Sequence, residues 1–326
     1  MAKVYVTRSW FPEALSQVAG LHEMKTWEGE DTPPREVLLA EVKDIEGMIP
    51  IGADHIDAGI IDAAPRLKVI SQFGDGFENV DLAAATRRGI PVGHTPDVLT
   101  ETTADLIFAL LLASARRIVE GEAFARQGKW RMHAHLDLPG VDVNHATLGI
   151  VGLGKIGSHV AKRAKGFNMR VLYYSRTRKI DLESLLGLEY VPDLHSLLSQ
   201  SDFVSLTTPF NSQTRHLMGP AEFAAMKPTA ILVNGSRGGV IDEKALYQAL
   251  KSRQILRAAI DVTQVEPIPV DDPLMTLDNL TIVPHIGSAV PATRRRMMSM
   301  AADQLIVSLR GERMPNCVNP EVYDTP

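Results

Sequence analysis

Three side chains in the second half of the chain could together hold an anion and move a proton: Arg237, Glu266 and His285. Arg237 stands in Asn234-Gly235-Ser236-Arg237-Gly238-Gly239, after an apolar run at 230–233. Glu266 stands in Asp261-Val262-Thr263-Gln264-Val265-Glu266-Pro267, after a run at 258–262. His285 stands in Pro284-His285-Ile286-Gly287-Ser288, after a run at 281–283. A guanidinium binds a carboxylate in a fork and orients the carbonyl beside it. An imidazolium donates a proton to that oxygen as a hydride reaches the carbon, a contribution of roughly 10²–10⁴ in rate. A carboxylate next to the ring favours its charged form and fixes its tautomer. The trio suits hydride reduction of a 2-keto acid. Each has a plainer reading alone: Arg237 holding only a cofactor phosphate, Glu266 in a surface turn, His285 in a capped loop. Their recurrence at successive strand ends, where open α/β sheets bind ligands, argues for one shared site.

A hydride donor has its own signature upstream. Gly152-Leu153-Gly154-Lys155-Ile156-Gly157 matches G-x-G-x-x-G, between an apolar strand at 147–151 and a helix expected at 158–167. That context is what the dinucleotide fingerprint requires. Gly152 permits the tight turn, Gly154 lets backbone approach a pyrophosphate, and Gly157 lets helix and strand pack closely. The helix N-terminus then offers N–H groups and partial positive charge to the phosphates. About 20 residues on, an acid would mark NAD. The sequence instead reads Tyr174-Ser175-Arg176-Thr177-Arg178-Lys179, with three cations and no carboxylate. Arg176 could fork onto a 2′-phosphate, which predicts NADP(H) over NAD(H). A solvated basic loop that accepts both cofactors is the alternative.

These residues need a scaffold of strands that end side by side. Strand and helix alternate along the chain: strands at 3–7, 22–27, 47–51, 67–72 and 90–94, with helices at 12–19, 34–42, 54–63 and 81–88. One long apolar helix is expected at 102–119, then a weakly periodic stretch at 121–144. A βαβ unit follows at 147–174, then strands at 203–206, 230–233, 258–262 and 281–283. Helices are expected at 220–226, 243–252 and, last, 292–309. The pattern predicts an α/β fold of helix-covered parallel sheets, with boundaries at 96–101 and near 288–292.

Composition excludes several classes. The 326 residues carry a net charge of -5, with 45% hydrophobic and 22% charged residues. That is neither a disordered chain nor a basic nucleic-acid surface. The longest strongly apolar stretch, 106–115, is shorter than the ~20 residues a membrane span needs. The N-terminus lacks a signal-peptide layout, and the single cysteine, Cys317, points to a reducing compartment, so a cytoplasmic location is expected. His133 and His135 invite a metal reading, but no nearby cysteine or helical His pair supports one, and no metal is expected.

In order and spacing, the segments 152–157, 234–239, 261–267 and 284–288 resemble the D-isomer-specific 2-hydroxyacid dehydrogenases. Within them the chain is most similar to glyoxylate/hydroxypyruvate reductases, in Val92-Gly93-His94-Thr95-Pro96-Asp97-Val98-Leu99-Thr100, in Pro284-His285-Ile286-Gly287-Ser288-Ala289 and in Arg310-Gly311-Glu312-Arg313-Met314-Pro315. The resemblance implies two Rossmann-like, doubly wound parallel-sheet domains with an interdomain cleft. It implies a discontinuous, flavodoxin-like substrate domain of 1–99 and 292–326 and a dinucleotide domain of 100–291. It implies a homodimer. Arg237 would bind the substrate carboxylate, His285 act as acid/base and Glu266 as its partner. Cofactor contacts would come from Gly152, Gly154, Lys155, Ile156, Gly157, Ser175, Arg176, Thr177, Thr208, Pro209, Gly235, Ser236, Asp261, His285 and Gly287. Substrate contacts would come from Asp75, Gly76, Arg237, His285 and Ser288. The implied reactions are glyoxylate to glycolate and hydroxypyruvate to D-glycerate. Another 2-keto acid, phosphite, or a non-catalytic nucleotide-sensing role of corepressor type are the alternatives. One departure stands out: Phe73-Gly74-Asp75-Gly76-Phe77 carries a carboxylate where the family has a small apolar residue. At ~4 Å and an effective dielectric of ~20, it would oppose an anionic substrate by about 4 kcal/mol unless it turns away or pairs with a cation.

Overall fold

Residues of alternating facing build each sheet, and the computed structural model describes residues 1–133 and 137–324. Two compact units result, Met1–Leu99 with Val290–Pro326, and Thr100–Ala289.

The first unit holds five parallel strands: β1 (Lys3–Val6), β2 (Glu23–Thr26), β3 (Gly47–Ile49), β4 (Val69–Ser71) and β5 (Val92–Gly93), in the order β2-β1-β3-β4-β5. Successive residues face opposite ways. Tyr5, Met48 and Ile70 pack on one face with Ile56, Ile60 and Ala84. Val4, Val6, Ile49 and Val69 pack on the other with Met297, Met298, Ala301 and Leu305 of the long helix Pro291–Leu309. The C-terminal segment is tied in by Ser71 Oγ donating to Ala301 O (2.8 Å) and Val318 N donating to Val92 O (2.8 Å).

The second unit holds seven parallel strands: β6 (Thr147–Val151), β7 (Arg170–Tyr174), β8 (Leu188–Tyr190), β9 (Phe203–Leu206), β10 (Ile231–Asn234), β11 (Arg257–Ile260) and β12 (Leu280–Ile282). Their order is β12-β11-β10-β9-β6-β7-β8. The chain starts at the middle, winds out through β7 and β8, and crosses back to β9, so the topological switch lies between β6 and β9. Leu148, Ile150, Tyr173 and Val233 pack under the helices Thr100–Ala115 and Lys155–Ala164. Val151, Leu172, Val204 and Ile260 face the opposite layer, with Leu246 and Leu250 of the helix Glu243–Lys251.

Four local expectations need correction. The helix expected at 102–119 is two helices, Thr100–Ala115 and Ile118–Arg126, broken at Arg117 in the left-handed region (φ 53°). The chain near Gly140 crosses the break: Val141 N donates to Ala115 O (2.9 Å), so that carbonyl bonds outside its helix. The helix expected at 54–63 begins only at Ala58, capped by Asp57, because the buried Asp54 turns back to accept from Ile51 N (2.7 Å). The helix expected at 158–167 starts at Lys155, inside the glycine motif. The helices Ile180–Leu186 and Leu194–Gln200 and the edge strand β8 were not anticipated; in the first, Leu182 and Leu186 pack on the core while Ile180 and Leu185 are exposed, so its apolar residues do not mark a single face.

Candidate active site

Parallel strands bring their carboxyl ends to one edge of the sheet, and all the second-unit candidates follow such ends. At the switch, Gly152 has φ +99°, reserved in practice for glycine, and a Cβ there would sit 2.8 Å from Thr208 N. A Cβ on Gly157 would lie 2.4 Å from Gly152 O. Packing therefore demands both. Thr207, not anticipated from the sequence, locks the turn by donating from Oγ1 to Gly152 O (2.6 Å). Gly154 differs: a Cβ there would meet nothing within 4 Å. The protein's own packing does not explain that glycine, whereas backbone approach by a pyrophosphate does. Lys155 and Ile156 open the helix, whose first turn has no side-chain cap. Beside the turn, Thr208 Oγ1 is buried without a hydrogen-bond partner among the described residues. Pro209 follows it. These features fit a dinucleotide.

Past β7 the three cations separate. Arg178 donates to both oxygens of Glu183 (2.9 Å each), and Tyr173 OH donates to the same carboxylate (2.5 Å). The Arg178 hydrogen bond, then that of Tyr173, hold the Glu183 carboxyl at about 2. Arg176, between Ser175 and Thr177, is exposed and meets Gln213 Oε1 at 3.4 Å. Sequence spacing alone could not sort these cations, because the carboxylate that claims Arg178 lies in an unanticipated helix.

Beyond β10, the buried Asn234 shapes the Gly235–Arg237 loop. Its Oδ1 accepts from Ser236 N (3.0 Å) and Ser236 Oγ (2.8 Å), and its Nδ2 donates to Arg237 O (3.1 Å). A Cβ on Gly238 would lie 2.1 Å from Thr263 O, so only glycine lets this loop press against the one that carries Glu266. Glu266 Oε1 accepts from Thr263 N (3.1 Å), and its Oε2 meets His285 Nδ1 at 2.7 Å. Burial pushes the Glu266 carboxyl up, but the hydrogen bond and charge of His285, Thr263 N–H and the charge of Arg237 outweigh it, and the net shift is down. The sequence-derived trio thus comes together at adjacent strand ends β10, β11 and β12.

His285 is in the left-handed region (φ 50°), and the buried Asp261 holds the loop there. Its oxygens accept from Ile286 N (2.6 Å) and Gly287 N (2.8 Å), while its own carbonyl accepts from His285 N (2.9 Å). Burial drives the Asp261 carboxyl above its ordinary range, against those N–H groups and the charge of His285. Ser288 completes the turn.

In the first unit, Asp75 and Gly76 follow β4. His94 Nδ1 lies 2.8 Å from Asp75 O and 3.7 Å from Asp75 Oδ1, so the carboxylate that departs from the family pattern stands beside an imidazole. His133 is described, but His135 lies outside the described residues. Among the described residues, no group of three or more His, Cys, Asp or Glu could hold a metal ion, and no helix is long and apolar enough to cross a membrane.

The NAD-binding domain model of the D-isomer-specific 2-hydroxyacid dehydrogenases matches residues 108–287, more than half of the chain. The chain is 49% identical over 321 residues to a glyoxylate reductase of Korarchaeum cryptofilum (strain OPF8), covering 98% of this chain and 96% of that protein. The chain belongs to the D-isomer-specific 2-hydroxyacid dehydrogenases. Like its relatives, this 2-hydroxyacid dehydrogenase is a nicotinamide-dependent oxidoreductase acting on 2-keto and 2-hydroxy acids. The two parallel-sheet α/β units are this family's Rossmann-like fold. A crystal structure from Thermus thermophilus matches with a TM-score of 0.91 and 44% identity, over 97% of this chain and 99% of that one. An NADPH-dependent glyoxylate/hydroxypyruvate reductase from Sinorhizobium meliloti, solved with NADP and malonate, matches with a TM-score of 0.86 and 29% identity, over 98% of each chain.

Proposed function

We propose that this 2-hydroxyacid dehydrogenase reduces glyoxylate to glycolate and hydroxypyruvate to D-glycerate, with NADPH preferred. The 2.7 Å contact between His285 Nδ1 and Glu266, with Arg237 on the adjacent strand end, carries this reading. The reduced nicotinamide, when bound, supplies the hydride. Arg237 binds the substrate carboxylate and orients the carbonyl. Glu266 keeps the proton on His285 Nδ1 and stabilises the imidazolium, so Nε2 delivers the second proton to the carbonyl oxygen. Asp261 keeps the ring's loop in place. Gly154–Gly157 would hold the pyrophosphate, and the buried Thr208 hydroxyl would find its partner on the cofactor.

The NADPH preference is supported by Arg176, since Arg178 is already committed to Glu183, and by the cofactor of the Sinorhizobium meliloti relative. The chain acts as a cytoplasmic homodimer in this reading. Ile118, Val119, Trp130 and Met132 expose apolar surface within one short segment, as a subunit interface would require.

The deciding experiment is a panel of 2-keto acids with both reduced cofactors, followed by cofactor absorbance. Glyoxylate and hydroxypyruvate should turn over, NADPH should give the higher kcat/KM, and Arg237→Ala should lower kcat/KM by about a hundredfold or more as the carboxylate fork is lost. An advantage for NADH overturns the cofactor assignment. No turnover with any 2-keto acid overturns the substrate assignment.

A further inference from the structure

Glu243 opens the helix Glu243–Lys251, yet its carboxylate does not cap that helix. Asp242 does so, accepting from Lys244 N (3.0 Å) and Ala245 N (3.2 Å). The Glu243 side chain instead reaches over to the loop after β11, where Oε1 accepts from Gln264 N (2.7 Å). The same loop is held by Gln264 Nε2, which donates to Ile241 O (2.8 Å) and lies 3.5 Å from His216 Nε2. One residue earlier, Thr263 N donates to Glu266 Oε1, and Glu266 in turn meets His285. An unbroken chain of contacts therefore runs from Glu243 through the 263–266 backbone to the imidazole.

The position is costly. Burial comes first in pushing the Glu243 carboxyl above its usual value, and the charges acting on it, from Asp272, Asp242 and Glu266, are all negative. A half-buried carboxylate among like charges weakens the fold unless it supports something else.

We propose that Glu243 is a positioning residue for the Glu266–His285 pair: it anchors the loop that carries Glu266 through Gln264 N–H and adds a second negative charge on the Glu266 side of the pair. The groups facing the pair are Asp261 beneath the His285 loop, Arg237 beside Glu266, and Asp242, Asp272 and His216 around Glu243. The kinetic part of this inference rests on the function proposed above.

The test compares Glu243→Ala and Glu243→Gln with the wild type. Two measurements are made: kcat and KM for glyoxylate and NADPH, and the titration of the His285 ring by NMR without substrate, assigned with His285→Asn. Alanine removes the acceptor and should lower kcat about tenfold at unchanged NADPH KM. Glutamine keeps an oxygen for Gln264 N–H and should restore most of kcat. It removes the charge, so the imidazolium is less favoured and the His285 titration should fall by about half a pH unit. Wild-type kcat in the alanine variant, glutamine no better than alanine, or an unshifted His285 titration each overturn the proposal. If the alanine variant does not fold, the glutamine titration decides alone. Absence of any keto-acid turnover by the wild type would sink the proposed function and leave the titration to judge Glu243.

Discussion

His285 and Glu266 are separated by 19 residues but share a 2.7 Å contact, and the proposed chemistry rests on what each does to the other's charge. The histidine and its neighbours draw the Glu266 carboxyl below its ordinary range. By reciprocity, the carboxylate favours the imidazolium that the proposed reduction would consume. Glu266→Gln should therefore move the basic limb of the kcat/KM profile for keto-acid reduction to lower pH and cut the plateau by roughly tenfold to a hundredfold. An unmoved basic limb would show that Glu266 acts on something other than the ring's charge. Both residues were legible because strand-end position and residue type are local properties. The capture of Arg178 by Glu183 was not, because it needs a helix whose apolar residues are split between the core and solvent.

The glycine turn separates a folding requirement from a binding requirement within one element. Gly157 is needed for packing, since an added methyl would press on the Gly152 carbonyl. Gly157→Ala should cost about 1–3 kcal/mol and lower Tm, as overpacking does. Gly154 has open space around the same methyl. Gly154→Ala should leave Tm near the wild-type value and raise the KM for the reduced cofactor severalfold, because the methyl stands where backbone must approach a phosphate. Thermal melts paired with cofactor kinetics check both, and equal loss of Tm in the two variants would remove the distinction. The 102–119 helix shows the limit of periodicity at this scale. Its apolar pattern runs on past Ala115, but a carbonyl claimed by Val141 and the left-handed Arg117 end it.

Across the whole molecule, ion pairs set the response to acid. Glu101 and Glu183 both have carboxyls held at about 2, first by Arg163 and by Arg178 respectively, against an ordinary value of 4.5. A carboxyl depressed in the folded state contributes stability that is fully present above 4.5 and is lost as pH falls through about 2. Buried Asp54 and Asp261 are shifted upward and oppose that trend. Glu183→Gln should therefore have a lower Tm than the wild type at neutral pH, and the gap should close on acidification below 4.5, as calorimetry across pH would reveal. A gap that stayed constant would mean the pair adds nothing to folding. By itself, the amino-acid order determined the alternation of strands and helices, the glycine turn and the identity of the Arg, Glu and His side chains. Periodicity, turn chemistry and residue type are all written in neighbouring positions. Only the tertiary structure decided the seventh strand, the break at Arg117, which cation past β7 is claimed by a carboxylate, and the service of Asp261 and Glu243 to the His285 and Glu266 loops. Each of those depends on a contact between segments that only the folded sheet brings together.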